Sequence, residues 1–308
     1  MRSRAWPRAP QPGPAQWVES TVVRHCFPSH IIQRRGVKML SLNALARQTR
    51  LICGVLMLST QVFASDKLLL VERDDLMRGP ANEILIGQQI WEMHKTASSL
   101  TTLVQLDQQT PVVRHDIGER TLIVLQGTVL FHFADREVTA TAGDYVAIPP
   151  GQAYQMTPQN QEKVLLLGFD VPTIDMTKAT AADFSTNSSG PTPVVKKQQS
   201  VMTSPPGWND PSDRGWTLIK TPEKRVNLVE MFSELKNHSH PDADHSLILL
   251  SGSARVVTPT EDRILKTGDY VSIPQNVPHK YYVEGQQSAL FISFDAPAYD
   301  SAKTIYLE

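Results

Sequence analysis

The feature that most restricts how this chain can fold is a repeat. Moving 125 positions along the 308-residue sequence carries Trp91 to Trp216, Lys95 to Lys220, His115 to His240 and Gly127 to Gly252. The run Gly143-Asp144-Tyr145-Val146 falls on Gly268-Asp269-Tyr270-Val271, Ile148-Pro149 on Ile273-Pro274, and Phe169-Asp170 on Phe294-Asp295. No insertion interrupts the match between Trp91 and Pro172. Strands and turns alike keep their lengths, which marks two copies of one fold. Segments such as TLIVLQGTVLFHF and SLILLSGSARVV are short, apolar and rich in β-branched residues, with Gly and Pro at strand-length intervals. That pattern predicts an all-β chain of antiparallel sandwiches or barrels.

The second copy holds a cluster of histidines. His238, His240 and His245 lie in NHSHPDADHSLILLSG and His279 lies in TGDYVSIPQNVPHKYY. A strand alternates its side chains, so His238 and His240 project to one face, and a short loop through Pro241, Asp242 and Asp244 can return His245 towards them. The second segment supplies a turn at Gly268-Asp269, a strand from Tyr270 to Ile273, a turn around Pro274-Gln275-Asn276, and then His279. Neutral imidazole is a good donor for Zn, Cu, Fe, Ni and Mn(II), so the four predict a mononuclear site with one divalent transition metal per chain.

These two segments resemble the paired motifs of the cupin superfamily. Its first motif reads H-x-H, three or four residues, a Glu, six residues and a Gly. Here His238-x-His240 is followed by His245 and then by Gly252. The second reads G, five residues, P-x-G-x-x-H; Gly268, Pro274 and His279 match, with Asn276 in place of the middle glycine. Asn tolerates the left-handed backbone that the glycine provides. His245 in place of the usual Glu removes a negative charge and leaves an all-imidazole set. With the repeat, the resemblance implies a bicupin: two tandem jelly-roll, double-stranded β-helix barrels, the first over 65–172 and the second over 214–308. The intervening 173–213, rich in Ser, Pro, Gly and Lys, reads as an irregular connector that can cross between barrels. Trp208, Trp216 and Tyr299 either cap barrel ends or line a mouth.

The first copy lacks the ligands. Val113 stands at the place of His238, Arg120 at that of His245 and Tyr154 at that of His279, leaving His115 alone. A permanently charged guanidinium repels a metal cation, so the N-terminal barrel reads as a degenerate, metal-free copy. Either His115, Arg120 and Tyr154 take an anionic ligand, or Arg120 pairs with an acid such as Asp116 or Glu119.

From Met39, the segment MLSLNALARQTRLICGVLMLSTQVFASD has Arg47 and Arg50, a short apolar run and small residues before Ser65, the pattern of a cleaved signal peptide. The apolar run is too short to span a bilayer. Residues 1–38 precede this better start and read as an upstream start choice, or else as a genuine extension. Cleavage after Ala64 removes both cysteines, Cys26 and Cys53, so the mature chain has neither a disulfide nor a thiolate ligand. It also leaves 21 Lys and Arg against 30 Asp and Glu, a net charge of −9. An acidic chain is poorly suited to nucleic acid or anionic lipid. The expected location is periplasmic or secreted, with a small-molecule partner, no stable membrane anchor, and room for a homo-oligomer.

By resemblance, the function expected is metal-dependent enzymology of dioxygenase type on a small organic substrate, or alternatively non-catalytic binding of a metal, ligand or sugar. Lys236, Glu234 and Glu230 share the inward face of His238 if their strand is unbroken, and Tyr281 lies two beyond His279. Glu230 and Tyr281 are the candidates for proton transfer or ligand orientation. Intact-mass measurement of the exported protein should place its first residue at or within about two positions of Ser65; a species retaining Cys53 would contradict the processing.

Overall fold

The computed structural model describes residues 67–160, 162–186, 191–285 and 288–307; the segment read as a signal peptide lies outside them. Each half forms a barrel of two facing antiparallel sheets, one of seven strands and one of five. The all-β, two-barrel expectation therefore holds. The repeat reaches further than the sequence match showed. Strand Leu69–Val71 and helix Arg73–Arg78 recur as strand Val194–Lys196 and helix Gln198–Thr203, and the 3-10 turn Met176–Lys178 recurs as Ser301–Lys303.

The seven-stranded sheets owe their apolar runs to burial on both faces. In Glu119–Gln126, Leu122 and Val124 point into the N-terminal core beside Phe131 and Met156. Ile123 between them points the other way, into a second core shared by both barrels. A strand covered on both sides has no reason to alternate. The shared core joins Trp91, Leu103 and Phe169 to Trp216, Ile248 and Phe294. Phe169 and Phe294, equivalent in the repeat, meet with ring centroids 4.8 Å apart. The five-stranded sheets have a wetter outer face, and Thr128–Phe133 alternates accordingly.

The barrels also exchange strands. Leu69–Val71, from the first copy, pairs with Tyr270–Ile273 of the C-terminal barrel in the register Leu70↔Val271. Val194–Lys196, from the second copy, pairs with Tyr145–Ile148 of the N-terminal barrel in the register Val195↔Val146. Each exchanged strand covers a sheet edge that would otherwise expose unpaired backbone groups. The following helix is fastened by the repeated Gly-Asp turn: the backbone N–H of Arg73 donates to Asp269 Oδ1 at 3.2 Å, and that of Gln198 to Asp144 Oδ1 at 2.9 Å.

The connector is accordingly not irregular throughout. Thr180–Ala181 pairs with Val113–Arg114, and Trp208–Asn209 pairs with the strand Asp213–Lys220. Its elements are two to six residues long, too short to show a hydrophobic period. Unfolding of the two-barrel chain in urea should be one transition, with tryptophan fluorescence and far-UV circular dichroism superimposing, because neither barrel closes its sheet alone. Leu68→Ala, at a side chain 6% exposed in the C-terminal core, should lower stability by about 2–5 kcal/mol. Two separated transitions would contradict the interlock.

Candidate metal centre

Both sheets of the C-terminal barrel contribute to the histidine cluster. The strand Leu235–Ser239 carries His238, His240 follows it, and His279 opens the adjacent strand His279–Val283. His238 and His279 are direct cross-strand partners. His245 comes from the opposite sheet, on Asp244–Ser251. Turn chemistry sets the spacing. Asn276 takes the left-handed conformation at φ 63°, as Gly151 does at the equivalent place in the first barrel, and its N–H donates to the His240 carbonyl at 2.8 Å. Gly252, at φ +85°, passes so close to Ser288 that a Cβ would lie 2.5 Å from its carbonyl oxygen.

Three imidazoles, those of His238, His240 and His279, bring one ring nitrogen each within 4.8 Å of one another. His245 stands beside this trio, its ring centroid 4.8 Å from that of His240 and 5.6 Å from that of His279. The ring orientations are set from behind. His238 Nδ1 contacts the Lys236 carbonyl at 2.7 Å and His279 Nδ1 the Val277 carbonyl at 2.9 Å. A carbonyl only accepts, so Nδ1 carries the proton and Nε2 keeps its lone pair. His245 Nδ1 contacts Asp295 Oδ1 at 2.8 Å, and His240 Nδ1 the Thr304 hydroxyl at 3.4 Å. The Nε2 atoms of His240 and His279 are buried and have no hydrogen-bond partner among the described residues. Burial first, and neighbouring imidazoles second, push the His240 and His279 rings far below their usual pKa; His238 is lowered by burial and by His245. Neutral rings with orphaned, converging lone pairs and tethered far nitrogens are what a metal ligand set requires.

The two catalytic candidates separate. Tyr281 belongs to the site: it is buried, its ring lies 5.6 Å from His279 and 6.4 Å from His245, and its hydroxyl has no partner among the described residues. Burial, then the Asp295 charge, push the phenol well above its usual pKa, which keeps it a neutral donor. Glu230 does not share the His238 face. The strand assumed continuous breaks at Phe232–Glu234, and Glu230 lies on Arg225–Met231. There its carboxylate is held by Arg214 at 2.7 Å and by the Ser288 hydroxyl at 3.1 Å. Glu234 pairs with Lys280.

A cavity of about 890 Å³ opens from the histidines. Leu247, Phe291 and Met231 form apolar walls, and Trp208, Tyr299 and Tyr306 also line it. Trp208 and Tyr299 thus line a mouth instead of capping an end. Trp208 lies across Gly215, where any Cβ would meet the indole at 2.0 Å. Trp216 instead packs in the shared core. Sequence reasoning missed Asp295 and Arg225. The repeated Phe-Asp pair, with its acid inside an apolar strand, was the available sign of Asp295.

In the N-terminal barrel the same positions are occupied differently. His115 Nε2 meets the Tyr154 hydroxyl at 3.2 Å. Arg120, 1% exposed, pairs at 3.6 Å with the fully buried Asp170, the counterpart of Asp295. The acid facing Arg120 is therefore Asp170, not Asp116 or Glu119, which pair with Arg114 and Lys224.

Among known proteins, a family model described as "Cupin domain" matches residues 230–295. No curated protein matches the chain in sequence. A salicylate 1,2-dioxygenase from Pseudaminobacter salicylatoxidans superimposes with a TM-score of 0.62 at 11% identity, covering 78% of this chain and 86% of that one. The Mn(II)-containing oxalate decarboxylase of Bacillus subtilis gives 0.54 at 11% identity over 71% and 74%. A cupin 2 conserved barrel domain protein from Leptotrichia buccalis gives 0.53 at 13% identity over 74% and 95%. Residues 230–295 thus match a cupin domain, and the chain as a whole shares the barrel fold of these structures.

Burial lowers His115 to a pKa of about 3 from 6.5, with Arg120 adding to the shift. Its folded pKa is depressed, so the unfolded chain binds one more proton between these values, and stability falls as pH drops below about 6.5. His115→Gln should make the stability profile between pH 6 and 4 shallower by up to about 1.4 kcal/mol per pH unit, read by urea denaturation at each pH. An unchanged slope would contradict the buried, neutral ring.

Proposed function

We propose that the C-terminal barrel is the catalytic half of a metal-dependent oxidoreductase of dioxygenase type acting on a small organic substrate. The observation that carries this reading is the pair of buried, unpartnered Nε2 atoms of His240 and His279, converging with His238 beside a cavity large enough for a substrate. His238, His240 and His279 would hold one divalent ion through Nε2, with His245 as fourth donor, oriented by Asp295. Imidazole-only ligation suits Fe, Mn, Zn, Cu or Ni. The ion would supply Lewis acidity and, if redox-active, a relay for electrons passing from the substrate to dioxygen, the oxidant. The protein's own part is to fix the imidazoles, exclude water with Leu247, Phe291 and Met231, and present the Tyr281 phenol as a neutral donor to a substrate oxygen. The dioxygenase and decarboxylase among the structural neighbours support metal chemistry in this fold, and at their low identity they support no more.

The non-catalytic alternative draws on one observation: the Asp295–His245 contact can supply a fourth nitrogen and close the shell. Export to the periplasm, with a chain beginning near Ser65, belongs to the same proposal and rests on the pattern of residues 39–64. Leu68 is already buried in the C-terminal core, so that boundary spares every described strand. Among the described residues no helix is long and apolar enough to cross a membrane.

Metal analysis after dialysis should give about one ion per chain for the wild type and for His115→Ala, and loss of most of the metal for His240→Ala. His245→Ala should weaken binding less, and His245→Glu should shift preference towards Mn or Fe(II). Tyr281→Phe should keep the metal and lower turnover by about 10²-fold or more. Equal metal loss in His115→Ala and His240→Ala would overturn the one-barrel assignment. A full, inert metal complement with no exchangeable water would favour the binding alternative.

A further inference from the structure

Among the described residues, Arg225 is the one buried cation that lines the cavity. It opens the strand Arg225–Met231, is only 9% exposed, and lines the same cavity as His238, His240 and His245. Its Nε donates to Asn227 Oδ1 at 3.2 Å. Asn227 is itself fixed, accepting from the Thr217 hydroxyl at 3.0 Å and donating to the Ser293 hydroxyl at 3.2 Å. The guanidinium carbon lies 4.7 Å from the Tyr299 ring centroid and 6.0 Å from that of Trp208. Nη1 is buried with no hydrogen-bond partner, and no acid lies within ion-pair distance of Arg225 among the described residues. Asp295, its cross-strand neighbour, attracts it only from beyond ion-pair distance and gives its hydrogen-bonding oxygen to His245.

Guanidinium stays charged at any pH a protein tolerates, and a buried charge is costly unless an anion meets it. One neutral amide, two aromatic faces and the more distant Asp295 reduce that cost without placing an anion against the guanidinium. The other buried arginine in this fold, Arg120, has its acid in Asp170; Arg225 faces a cavity instead. The geometry points to a carboxylate-bearing small molecule as the ligand of this cavity, its carboxylate held by Arg225 and its body lying between Trp208, Tyr299 and the apolar wall. A planar two-oxygen anion matches the guanidinium fork, which a single hydroxyl or a neutral amide does not.

The metal centre is within reach of the same molecule. Tyr299 touches both: its ring is 4.7 Å from the guanidinium carbon and 4.5 Å from the His240 ring. Arg225 and His240 are therefore separated by no more than the sum of those two contacts. A ligand anchored by its carboxylate would present its other end to the histidines. This deepens the proposed function and rests on the cavity being its substrate site, though carboxylate binding itself needs no metal.

The test is calorimetric titration of the metal-free and metal-loaded protein with benzoate and with benzamide, its neutral counterpart. Benzoate should bind the metal-free wild type at least about tenfold more tightly than benzamide. Arg225→Gln should abolish that preference, and Arg225→Lys should keep part of it, since charge survives but the fork does not. Retained metal content and circular dichroism would show that the variants are folded. Should Arg225→Gln fail to fold, the wild-type contrast and the Lys variant still decide. Equal binding of the two probes by the wild type, no binding of either, or an undiminished preference in Arg225→Gln would overturn the inference. Benzoate selectivity without turnover of any carboxylate by the metal-loaded protein would uphold the anchor while contradicting the enzyme reading.

Discussion

The structure depends on two seven-stranded sheets packed back to back, each apolar on both faces. Leu122 and Val124 serve one core while Ile123 serves another, so no part of such a sheet can face water without exposing a row of large side chains. Burying that row against its repeat-related partner gives the shared core around Phe169 and Phe294. The exchanged strands then close the sheet edges beside that core. The strand that carries His245 is braced by this arrangement: it pairs with Tyr270–Ile273, which in turn pairs with Leu69–Val71 from the other half.

The contrast between the barrels shows how one scaffold supports two outcomes. A buried aspartate sits at the same place in both, Asp170 and Asp295, and burial raises the pKa of each. Facing Asp170, Arg120 satisfies the charge within the barrel. Facing Asp295, His245 donates its Nδ1–H to the carboxylate and still has Nε2 to offer. Where the first barrel closes His115 with the Tyr154 hydroxyl, the second puts His279 in place of that tyrosine and leaves its Nε2 open. Burial keeps the His238, His240 and His279 rings neutral, which is costly for a proton and favourable for a metal.

The repeat, the strand pattern and the four histidines were legible in the sequence because each is local or recurs at a fixed distance. The left-handed turn at Asn276 was legible for the same reason, as a residue with few alternatives at a motif position. The exchanged strands were not, since three residues carry no period and their partners lie far along the chain, as in Leu69↔Ser272. The placement of Glu230 failed on the break at Phe232–Glu234, which moved it to another strand. Lys224 and Arg225 are adjacent charged residues, and both are buried. Lys224 reaches Glu119 and Thr121 of the other barrel at 2.5 and 2.7 Å, while its neighbour turns into the cavity. Neighbouring strand residues point to opposite faces, and only the fold reveals what lies beyond each.

The central claim is that the C-terminal histidines form one ion site built on imidazole nitrogen. It is tested most directly by titrating the metal-free protein with Co(II) and following the visible ligand-field absorption. The account predicts bands that saturate at about one equivalent per chain, with the intensity of a low-coordinate, nitrogen-ligated ion. The absence of saturable bands, or saturation at about two equivalents with both barrels contributing, would contradict it.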